Sequence, residues 1–439
     1  MQETIALISL GCAKNLVNSE QMLWLLHQAE YEMVNDADGA DIAIVNTCGF
    51  IDSAKSEAIG VILDMAELKA AGRLQHIIVT GCLSERYREE ILDEMPEVDA
   101  VVGVGSYDDI VGVVEEVLAG NTVAIFGDNN GPVEETRRVI STGPAWAYLK
   151  IAEGCDNRCS YCAIPDIRGR FRSRPMDAIL EETRELAALG IKELIVVAQD
   201  ITRYGVDLFG EPSLDKLLTE LCKIDGIEWI RLHYLYPDEI TDSLIDVIAA
   251  EEKILAYLDI PIQHISDKVL QLMNRRGSGD EIRALFRKLR EKIPGLVLRT
   301  SLITGLPGEG EAEYEELCEF LREMRIERAG VFPYSPEEGT PAASMPDRAE
   351  EEVAQRRAEL IMELQAEIMD DYNDNRVGET LRVFCEGFDE DAACMYGRTY
   401  ADSPEIDGKV FFDGEAQHGE FVNILITGVM DGDLIGEIV

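Results

Sequence analysis

The sequence predicts an α/β protein in three parts: an N-terminal parallel sheet covered by helices, a central partial (β/α)6 barrel and a small C-terminal β-barrel. In the first two parts, short apolar runs alternate with helical periodicity, which is typical of parallel sheets. After Val377 the pattern changes to short β-rich runs separated by Gly and Asp. We therefore expect three domains, over residues 1–135, 140–375 and 376–439.

Composition excludes several classes of protein. The chain has 439 residues, and its 46% of hydrophobic residues is ordinary for a globular protein. No stretch approaches the roughly 18 uncharged apolar residues that a membrane helix needs. The first residues, MQETIALISLGC, lack a basic leader. We therefore expect no signal peptide, no membrane association and a cytoplasmic location.

The net charge of −45 is extreme for a chain of this length. Such a surface repels nucleic-acid phosphates and favours a basic partner. An acidic surface that serves only solubility is the alternative, and composition leaves both explanations open.

The N-terminal part contains three predicted strand–helix units. The strands are IALISL, IAIVNT and HIIVTG. The helices after them run through MLWLLHQ, SAKSEAIGVILDMAELKAAG and SERYREEILDEM. The loop GDNNGPVEETRRVISTGP, rich in Gly, Asn and Pro, is predicted to be a linker that ends this unit.

The central part repeats the alternation six times, which suits an open barrel with its site at the carboxyl ends of the strands. The predicted strands are AYLKIA, ELIVVAQ, WIRLHYLY, AYLDIPIQ, LVLRTSLITG and AGVFPYS. His233 and His264 fall in this region, and packing is the favoured role for both. A long helix is expected from about Arg348 to Tyr372, with an apolar stripe formed by Val353, Leu360, Leu364 and Ile368.

Three cysteines follow the first strand of the central part within the stretch EGCDNRCSYCAIPDIRG. Cys155, Cys159 and Cys162 lie at a carboxyl strand end, where α/β proteins bind ligands. Zinc would need a fourth ligand, and no histidine lies within fifty residues. A cubane iron–sulfur cluster held by three thiols would leave one iron open to a small molecule. A purely structural metal loop is the alternative.

This spacing, with Tyr161 before the last thiol, resembles the signature of the radical S-adenosylmethionine (SAM) superfamily. The resemblance implies that SAM chelates the open iron and is cleaved to a 5′-deoxyadenosyl radical. The stretch LRTSLITGLPGEGE resembles the late-barrel SAM-binding strand of that superfamily, although ordinary strand packing explains it about as well. The cofactor-binding residues that the resemblance implies are Tyr161, Ile164, Gln199, Arg299 and Thr304.

A second set of cysteines is scattered through the N-terminal part. Cys12, Cys48 and Cys82 each come directly after a predicted strand. Because parallel strands present their carboxyl ends along one edge of a sheet, the three thiols are expected to converge. Burial of unrelated thiols is the alternative, and it is the favoured role for the isolated cysteines Cys222, Cys318, Cys385 and Cys394.

The stretches SLGCAKNLVNSE, NTCGFIDSAKSEAI and GCDNRCSYCAIPDIRGRFRSRP together resemble the methylthiotransferase family. The resemblance covers the whole chain, including a C-terminal TRAM-like barrel. It implies two [4Fe–4S] clusters and SAM as cofactors, with sulfur delivered through an auxiliary cluster and a methyl group taken from a second SAM. Six cysteines would then be metal ligands: Cys12, Cys48 and Cys82 for the auxiliary cluster, and Cys155, Cys159 and Cys162 for the radical-generating one.

Two substrates divide this family: tRNA adenosines, and an aspartate of small-subunit ribosomal protein twelve. LDIPIQHISDKVL and YSPEEGTPA resemble the ribosomal-protein branch. From Val377 onward, three basic residues face fourteen Asp and Glu, which suits a basic protein better than phosphates. Against this, Arg168, Arg170, Arg172 and Arg174 form a basic ribbon that could contact RNA, hold the SAM carboxylate or pair with acidic groups.

The favoured function is therefore addition of a methylthio group to the β-carbon of that aspartate, on the free protein or the ribosome. The partners implied are the ribosomal protein and a reductase or flavodoxin-type electron donor, with tRNA less favoured. A two-cluster electron-transfer or binding protein is the alternative from another class. The missing fourth cysteine in each set argues against it, because electron carriers function best with closed coordination.

Overall fold

The computed structural model describes residues 3–133, 137–143 and 145–439. Parts of the predicted linker, residues 134–136 and 144, lie outside the described residues, as does the predicted domain boundary at residue 135.

The N-terminal part is a six-stranded parallel sheet with the order β2-β1-β3-β4-β5-β6. Its strands are β1 Thr4–Ser9, β2 Glu32–Val34, β3 Ile42–Thr47, β4 His76–Gly81, β5 Ala100–Val102 and β6 Val123–Ile125. Its helices are α1 Ala13–Gln28, α2 Asp52–Ala70, α3 Cys82–Tyr87, α4 Glu90–Glu94 and α5 Ile110–Leu118, with a 3-10 helix over Val104–Asp109. Every residue of β3 is buried, as expected for a strand with helices on both faces.

The helix predicted through SERYREEILDEM is wrong in one respect, because the structure divides it into α3 and α4. Arg88 separates them in the left-handed region, with φ of 49°. A bulky residue in this conformation cannot continue a right-handed helix. The apolar periodicity on either side gave no sign of the break.

The central part is a six-stranded parallel sheet whose spatial order follows the chain. This open, sequential arrangement confirms the predicted partial (β/α)6 barrel. Its strands are β7 Trp146–Lys150, β10 Glu193–Val197, β11 Trp229–Leu232, β12 Ile254–Asp259, β13 Val297–Thr304 and β14 Arg328–Pro333, while β8 Ala152–Glu153 and β9 Arg172–Ser173 form a separate pair.

Helices alternate with these strands and bury one face against the sheet, so that the core lies between the two layers. They are α6 Ile164–Arg168, α7 Met176–Ala188, α8 Val206–Phe209, α9 Leu214–Cys222, α10 Asp242–Ala250, α11 Asp267–Leu272, α12 Gly279–Lys292, α13 Glu311–Met324 and α14 Glu351–Asp374, with 3-10 turns at Pro237–Glu239 and Pro341–Ser344.

The apolar stripe predicted for the last of these helices is wrong at two of its four positions. Val353 and Leu360 are exposed, whereas Ala354, Ile361 and Ile368 face the core. Helix α14 packs against β13 and β14 through this face. Leu364 is partly buried beside it.

The C-terminal part is a closed five-stranded barrel with the order β15-β16-β17-β19-β18. Its strands are β15 Thr380–Asp389, β16 Cys394–Arg398, β17 Val410–Asp413, β18 Phe421–Met430 and β19 Asp433–Ile438. Closure leaves no free strand edge, and this confirms the predicted small β-barrel. Among the helices of the described residues, none is long and apolar enough to cross a membrane.

Candidate active site

Cys12, Cys48 and Cys82, here called the first cysteine group, lie at one edge of the N-terminal sheet. They follow β1, β3 and β4, which are neighbours with level carboxyl ends, since Ser9 pairs with Asn46 and Asn46 with Thr80. The loops approach each other closely. A Cβ atom built on Gly11 would lie 2.6 Å from the Cys48 Cβ.

The first cysteine group combines burial with a local positive field. Burial raises the pKa of Cys48 to about 11, with a further contribution from Cys82. Burial also raises the pKa of Cys82. For Cys12, burial acts in the same direction, but Lys14, Arg168 and backbone amides outweigh it and the pKa of this thiol is lowered.

Cys155, Cys159 and Cys162, the second cysteine group, occupy the loop after β8 at the carboxyl end of the central sheet. Gly154 has φ of 80°, and a Cβ there would lie 2.0 Å from the Arg170 carbonyl oxygen. The Cys162 amide donates to the Cys159 carbonyl at 3.0 Å, which folds the loop back on itself. Burial raises the pKa of Cys155 to about 11 and that of Cys162 further.

The first cysteine group contacts the segment that follows the second, across the boundary between the sheets. Cys82 forms a buried cluster with Ala163, which directly follows Cys162 in the chain, and with Ile167 on α6. Within the described residues, no three His, Cys, Asp or Glu side chains are arranged to hold a single metal ion. Thiolate sulfur is a donor that suits iron–sulfur clusters.

Arg168 connects the two groups. Its Nε and Nη2 donate to the Cys82 Sγ, both at 3.3 Å. Nη1 donates to Asn18 at 2.9 Å and to Glu153 at 3.3 Å, and Nη2 donates to Asn15 at 3.0 Å. One buried guanidinium of the central part therefore binds a thiol, two amides and a carboxylate around the boundary.

The predicted basic ribbon is therefore corrected. Arg168 and Arg174 are buried, Arg172 is half-buried and Arg170 alone is exposed. Arg174 donates to the Lys150 carbonyl at 2.6 Å. The segment is not one continuous strand, because Arg168 ends α6, Gly169 has φ of 75° and only Arg172–Ser173 form β9, so the four arginines do not form one surface.

Glu153 is a second connecting residue, two positions before Cys155. It accepts from Lys150 at 3.1 Å and from the Gln199 amide at 2.6 Å, besides Arg168. Burial raises its pKa, but Arg168 and Lys150 outweigh that effect and hold it at about 2. The Gln199 Oε1 is buried and has no hydrogen-bond partner among the described residues, so it is available to a bound molecule.

Tyr161 and Ile164, predicted from the resemblance, lie at the second cysteine group. The Tyr161 hydroxyl accepts from Arg275 at 3.4 Å. The Ile164 amide faces the Cys162 thiol, and this contact lowers the pKa that burial raises. Their contact with a cofactor stays a prediction.

Sequence reasoning missed Arg275 and Tyr236. The Arg275 Nη1 lies 3.8 Å from the Cys159 Sγ, and the Tyr236 hydroxyl lies 3.9 Å from the same sulfur. The guanidinium also stacks over the Tyr236 ring, 4.3 Å from its centroid. Both lie in loops far along the chain, after β11 and after α11, and no local motif marks them.

Two other predicted cofactor residues have partners elsewhere in the chain. Thr304 faces α14 and donates to the Ala354 carbonyl at 2.8 Å, and its cofactor contact stays a prediction. Arg299 pairs with Asp259 at 3.1 Å and Asp407 at 3.7 Å, five residues before the carboxyl end of β13. Its cofactor contact stays a prediction.

The two histidines hydrogen-bond elsewhere in the fold, and the four isolated cysteines are buried or half-buried. His233 shares a hydrogen bond of 2.9 Å with Ser403, and His264 accepts from the Ser266 amide at 3.1 Å. Cys318 and Cys385 are buried, whereas Cys222 and Cys394 are half-buried. All six positions contact their surroundings within the fold.

Three family models match successive parts of the chain. The uncharacterized protein family UPF0004 matches residues 4–103, the radical SAM superfamily matches residues 149–321, and the TRAM domain matches residues 377–439.

Curated relatives match over the full length. A ribosomal protein uS12 methylthiotransferase RimO from Acetivibrio thermocellus is 49% identical, covering 100% of this chain and 99% of the relative. Proteins of the same name from Lachnoclostridium phytofermentans and Pelotomaculum thermopropionicum are 51% and 52% identical, covering 98% and 99% of this chain and 99% of each relative.

Among solved structures, the radical S-adenosylmethionine methyltransferase TsrM from Kitasatospora setae, with cobalamin and a [4Fe-4S] cluster bound, superposes with a TM-score of 0.58. It is 12% identical over 86% of this chain and 79% of that one. A likeness at this identity concerns the fold alone.

Proposed function

The chain belongs to the family of ribosomal protein uS12 methylthiotransferases, and from this premise we propose that it attaches a methylthio group to the β-carbon of an aspartate in uS12. The observation that carries the proposal is identity of about half over the entire length, through all three domains. It is a radical SAM enzyme of the methylthiotransferase class.

The donor sets fit the cofactors that this class implies. Each cysteine group offers three thiols, which leaves one iron of a cubane cluster without a protein ligand. The guanidinium of Arg168 supplies positive charge where thiolates and Glu153 would otherwise repel one another. We propose two [4Fe–4S] clusters: one on Cys12, Cys48 and Cys82, and one, with SAM, on Cys155, Cys159 and Cys162.

Bound there, the clusters and SAM supply the radical that opens an unactivated C–H bond, the sulfur and the methyl group. The chain positions these groups and excludes water. Glu153, Lys150 and Arg168 are buried and tied to one another, so the loop before Cys155 is fixed relative to Cys82. Arg275 and Tyr236 place a cation and an aromatic ring beside Cys159.

The partners follow from charge and from the class of enzyme. A chain with a net charge of −45 complements a lysine- and arginine-rich ribosomal protein. We also propose a reductase or flavodoxin-type electron donor and a cytoplasmic site of action. The ribbon of arginines was the feature that favoured tRNA. It no longer supports RNA binding, because Arg168 and Arg174 are buried.

Metal content tests the ligand assignment. Oxygen-free wild-type protein should contain about eight irons per chain, and Cys12→Ala and Cys155→Ala should each reduce this to about four, because each cubane has four irons. Cys222→Ala, which changes a half-buried thiol outside both groups, should leave about eight. An unchanged iron content in either ligand variant would remove that cysteine from the assignment.

Product analysis tests the substrate. With SAM and a reductant, the reconstituted enzyme should form 5′-deoxyadenosine and add a methylthio group to uS12 but not to tRNA. Modified tRNA would favour the other branch of the family. An intact pair of clusters with no SAM cleavage would favour an electron carrier.

A further inference from the structure

Lys14 occupies an unusual position beside the first cysteine group. It lies in the first turn of α1, two residues after Cys12, and only 8% of it is exposed. Its ammonium lies 3.7 Å from the centroid of the Tyr234 ring. Tyr234 follows β11, at the carboxyl end of the central sheet. The side chain therefore extends from the N-terminal part into the mouth of the central barrel.

Several other buried cations of the interior have carboxylate partners. Arg168 pairs with Glu153, Arg231 with Glu193 and Arg299 with Asp259. In the part of the chain that the structure describes, the Lys14 ammonium forms no ion pair, although acidic residues outnumber basic ones by 85 to 40. The Cys12 thiol two residues away supplies a partial counter-charge, but a buried ammonium without a carboxylate partner is unfavourable, so this position is poised to receive a carboxylate from another molecule.

Tyr234 adds an independent sign of a functional role. Its φ of 65° lies in the left-handed region, which a bulky aromatic residue rarely adopts. Such strain persists where the surrounding structure imposes it, and it clusters at ligand sites. Here it directs the ring against the ammonium. The ring attracts a cation but does not neutralise it, so the charge stays available.

We propose that Lys14 binds the side-chain carboxylate of the substrate aspartate and thereby selects aspartate over asparagine. This inference rests on the proposed function, in which the reacting carbon bears that carboxylate. To reach a site between the two cysteine groups, the carboxylate has to leave water, and an ammonium beside Cys12 replaces its hydration. Because the Lys14 ammonium lies next to the first cysteine group, binding of the carboxylate also determines which face of the β-carbon is turned towards that group.

The test compares two substrates and three enzymes. Each holoenzyme is titrated with uS12 and with uS12 in which the target aspartate is replaced by asparagine. The three enzymes are the wild type, Lys14→Met and Lys14→Arg. Wild type should bind the aspartate form at least about 30-fold more tightly, the size expected for one buried charge pair. Lys14→Met should bind both forms about equally, and Lys14→Arg should restore most of the preference.

Controls separate this inference from the function on which it rests. Iron content should stay at about eight per chain in Lys14→Met, which shows that the first cysteine group is assembled. Lys223→Met, at an exposed lysine just after α9, should behave as wild type. If Lys14→Met keeps the wild-type preference, the inference is wrong while the function stands. If wild type leaves uS12 unmodified, the proposed function fails and the inference with it.

Discussion

At the scale of single residues, the site depends on charges that are buried between the domains rather than presented at a surface. Arg168 is 2% exposed and satisfies four different partners. A guanidinium suits this position because its donors are arranged in a rigid plane and it stays charged when buried. The same residue thus stabilises the contact between the two parts of the chain and supplies positive charge to the first cysteine group.

Replacing Arg168 should therefore destabilise the protein strongly. Arg168→Met keeps much of the apolar length but leaves Glu153 with one cation fewer and two buried amides without a donor. Loss of one partner from a buried pair costs about 3–5 kcal/mol. Urea unfolding of the metal-free, reduced protein measures this change in free energy.

Arg170→Met is the matched control, because Arg170 is two residues away and exposed. We expect a change within about 0.5 kcal/mol for it. Equal effects of the two substitutions would show that the buried network around Arg168 contributes nothing particular to stability.

The cysteines were predictable from sequence, whereas the charged residues around them were not. Cys12, Cys48 and Cys82 each follow an apolar run, and the geometry of parallel sheets brings such positions together. No sequence pattern of this kind identifies Arg168 or Arg275. Whether an arginine is exposed or buried against a thiol depends on how distant segments of the chain pack together. Arg275 and Cys159, for example, are more than a hundred residues apart in the sequence.

At the scale of elements, the junction between β4 and α3 determines where Cys82 lies. Gly81 has φ of 99°, and a Cβ there would lie 2.4 Å from the Thr47 carbonyl oxygen on β3. No side chain fits without separating the two strand ends. The turn thus places Cys82 next to Cys48 only because glycine occupies this position.

Gly81→Ala should disrupt the first cysteine group while sparing the second. The added methyl group displaces the end of β4 from β3, so Cys82 moves relative to Cys48. Iron should fall from about eight to about four per chain. Measurement of iron and sulfide in the reconstituted protein tests this.

Gly72→Ala provides the comparison, since Gly72 also has a positive φ of 71° but a Cβ there meets nothing within 4 Å. It should retain about eight irons and lose only about 1 kcal/mol of stability from backbone strain. A full iron content in Gly81→Ala would mean that the strand ends tolerate the displacement.

Long elements were predictable and short ones were not. The six central strands follow from apolar runs and regular spacing. By contrast, β2, β5 and β6 have three residues each, which is too short for a periodic pattern. For α14, Val353 and Leu360 suggested the buried face, but a tightly packed contact with β13 and β14 selects the small residue Ala354 instead.

At the scale of the whole molecule, the C-terminal barrel is joined to the central sheet by a buried ion cluster. Glu193 on β10 accepts from Arg231 of the same sheet at 2.8 Å and from Arg398 of the barrel at 2.7 Å. Trp229 lies beside it and contacts Phe384 and Phe421 of the barrel. The barrel is thus fixed to the end of the sheet remote from the cysteine groups.

This arrangement makes docking of the barrel sensitive to acid. Burial raises the pKa of Glu193, but Arg398 and Arg231 outweigh it, so the pKa in the folded protein lies below the ordinary 4.5. A carboxyl group with a lowered folded pKa stabilises the protein fully above its unfolded pKa. That contribution is lost as the pH falls below about 4.5 towards the folded value.

Glu193→Gln should therefore reduce the free energy of unfolding by about 3 kcal/mol at pH 7, because two buried arginines lose their counter-ion. The difference from wild type should shrink as the pH falls below about 4.5, since protonation neutralises the same carboxylate in wild type. Tryptophan fluorescence during urea unfolding follows this, because Trp229 lies at the interface. Glu220→Gln, at an exposed pair with Lys223, should change little at any pH. A difference between Glu193→Gln and wild type that stays constant down to pH 3 would mean that Glu193 stabilises the interface by packing rather than by charge.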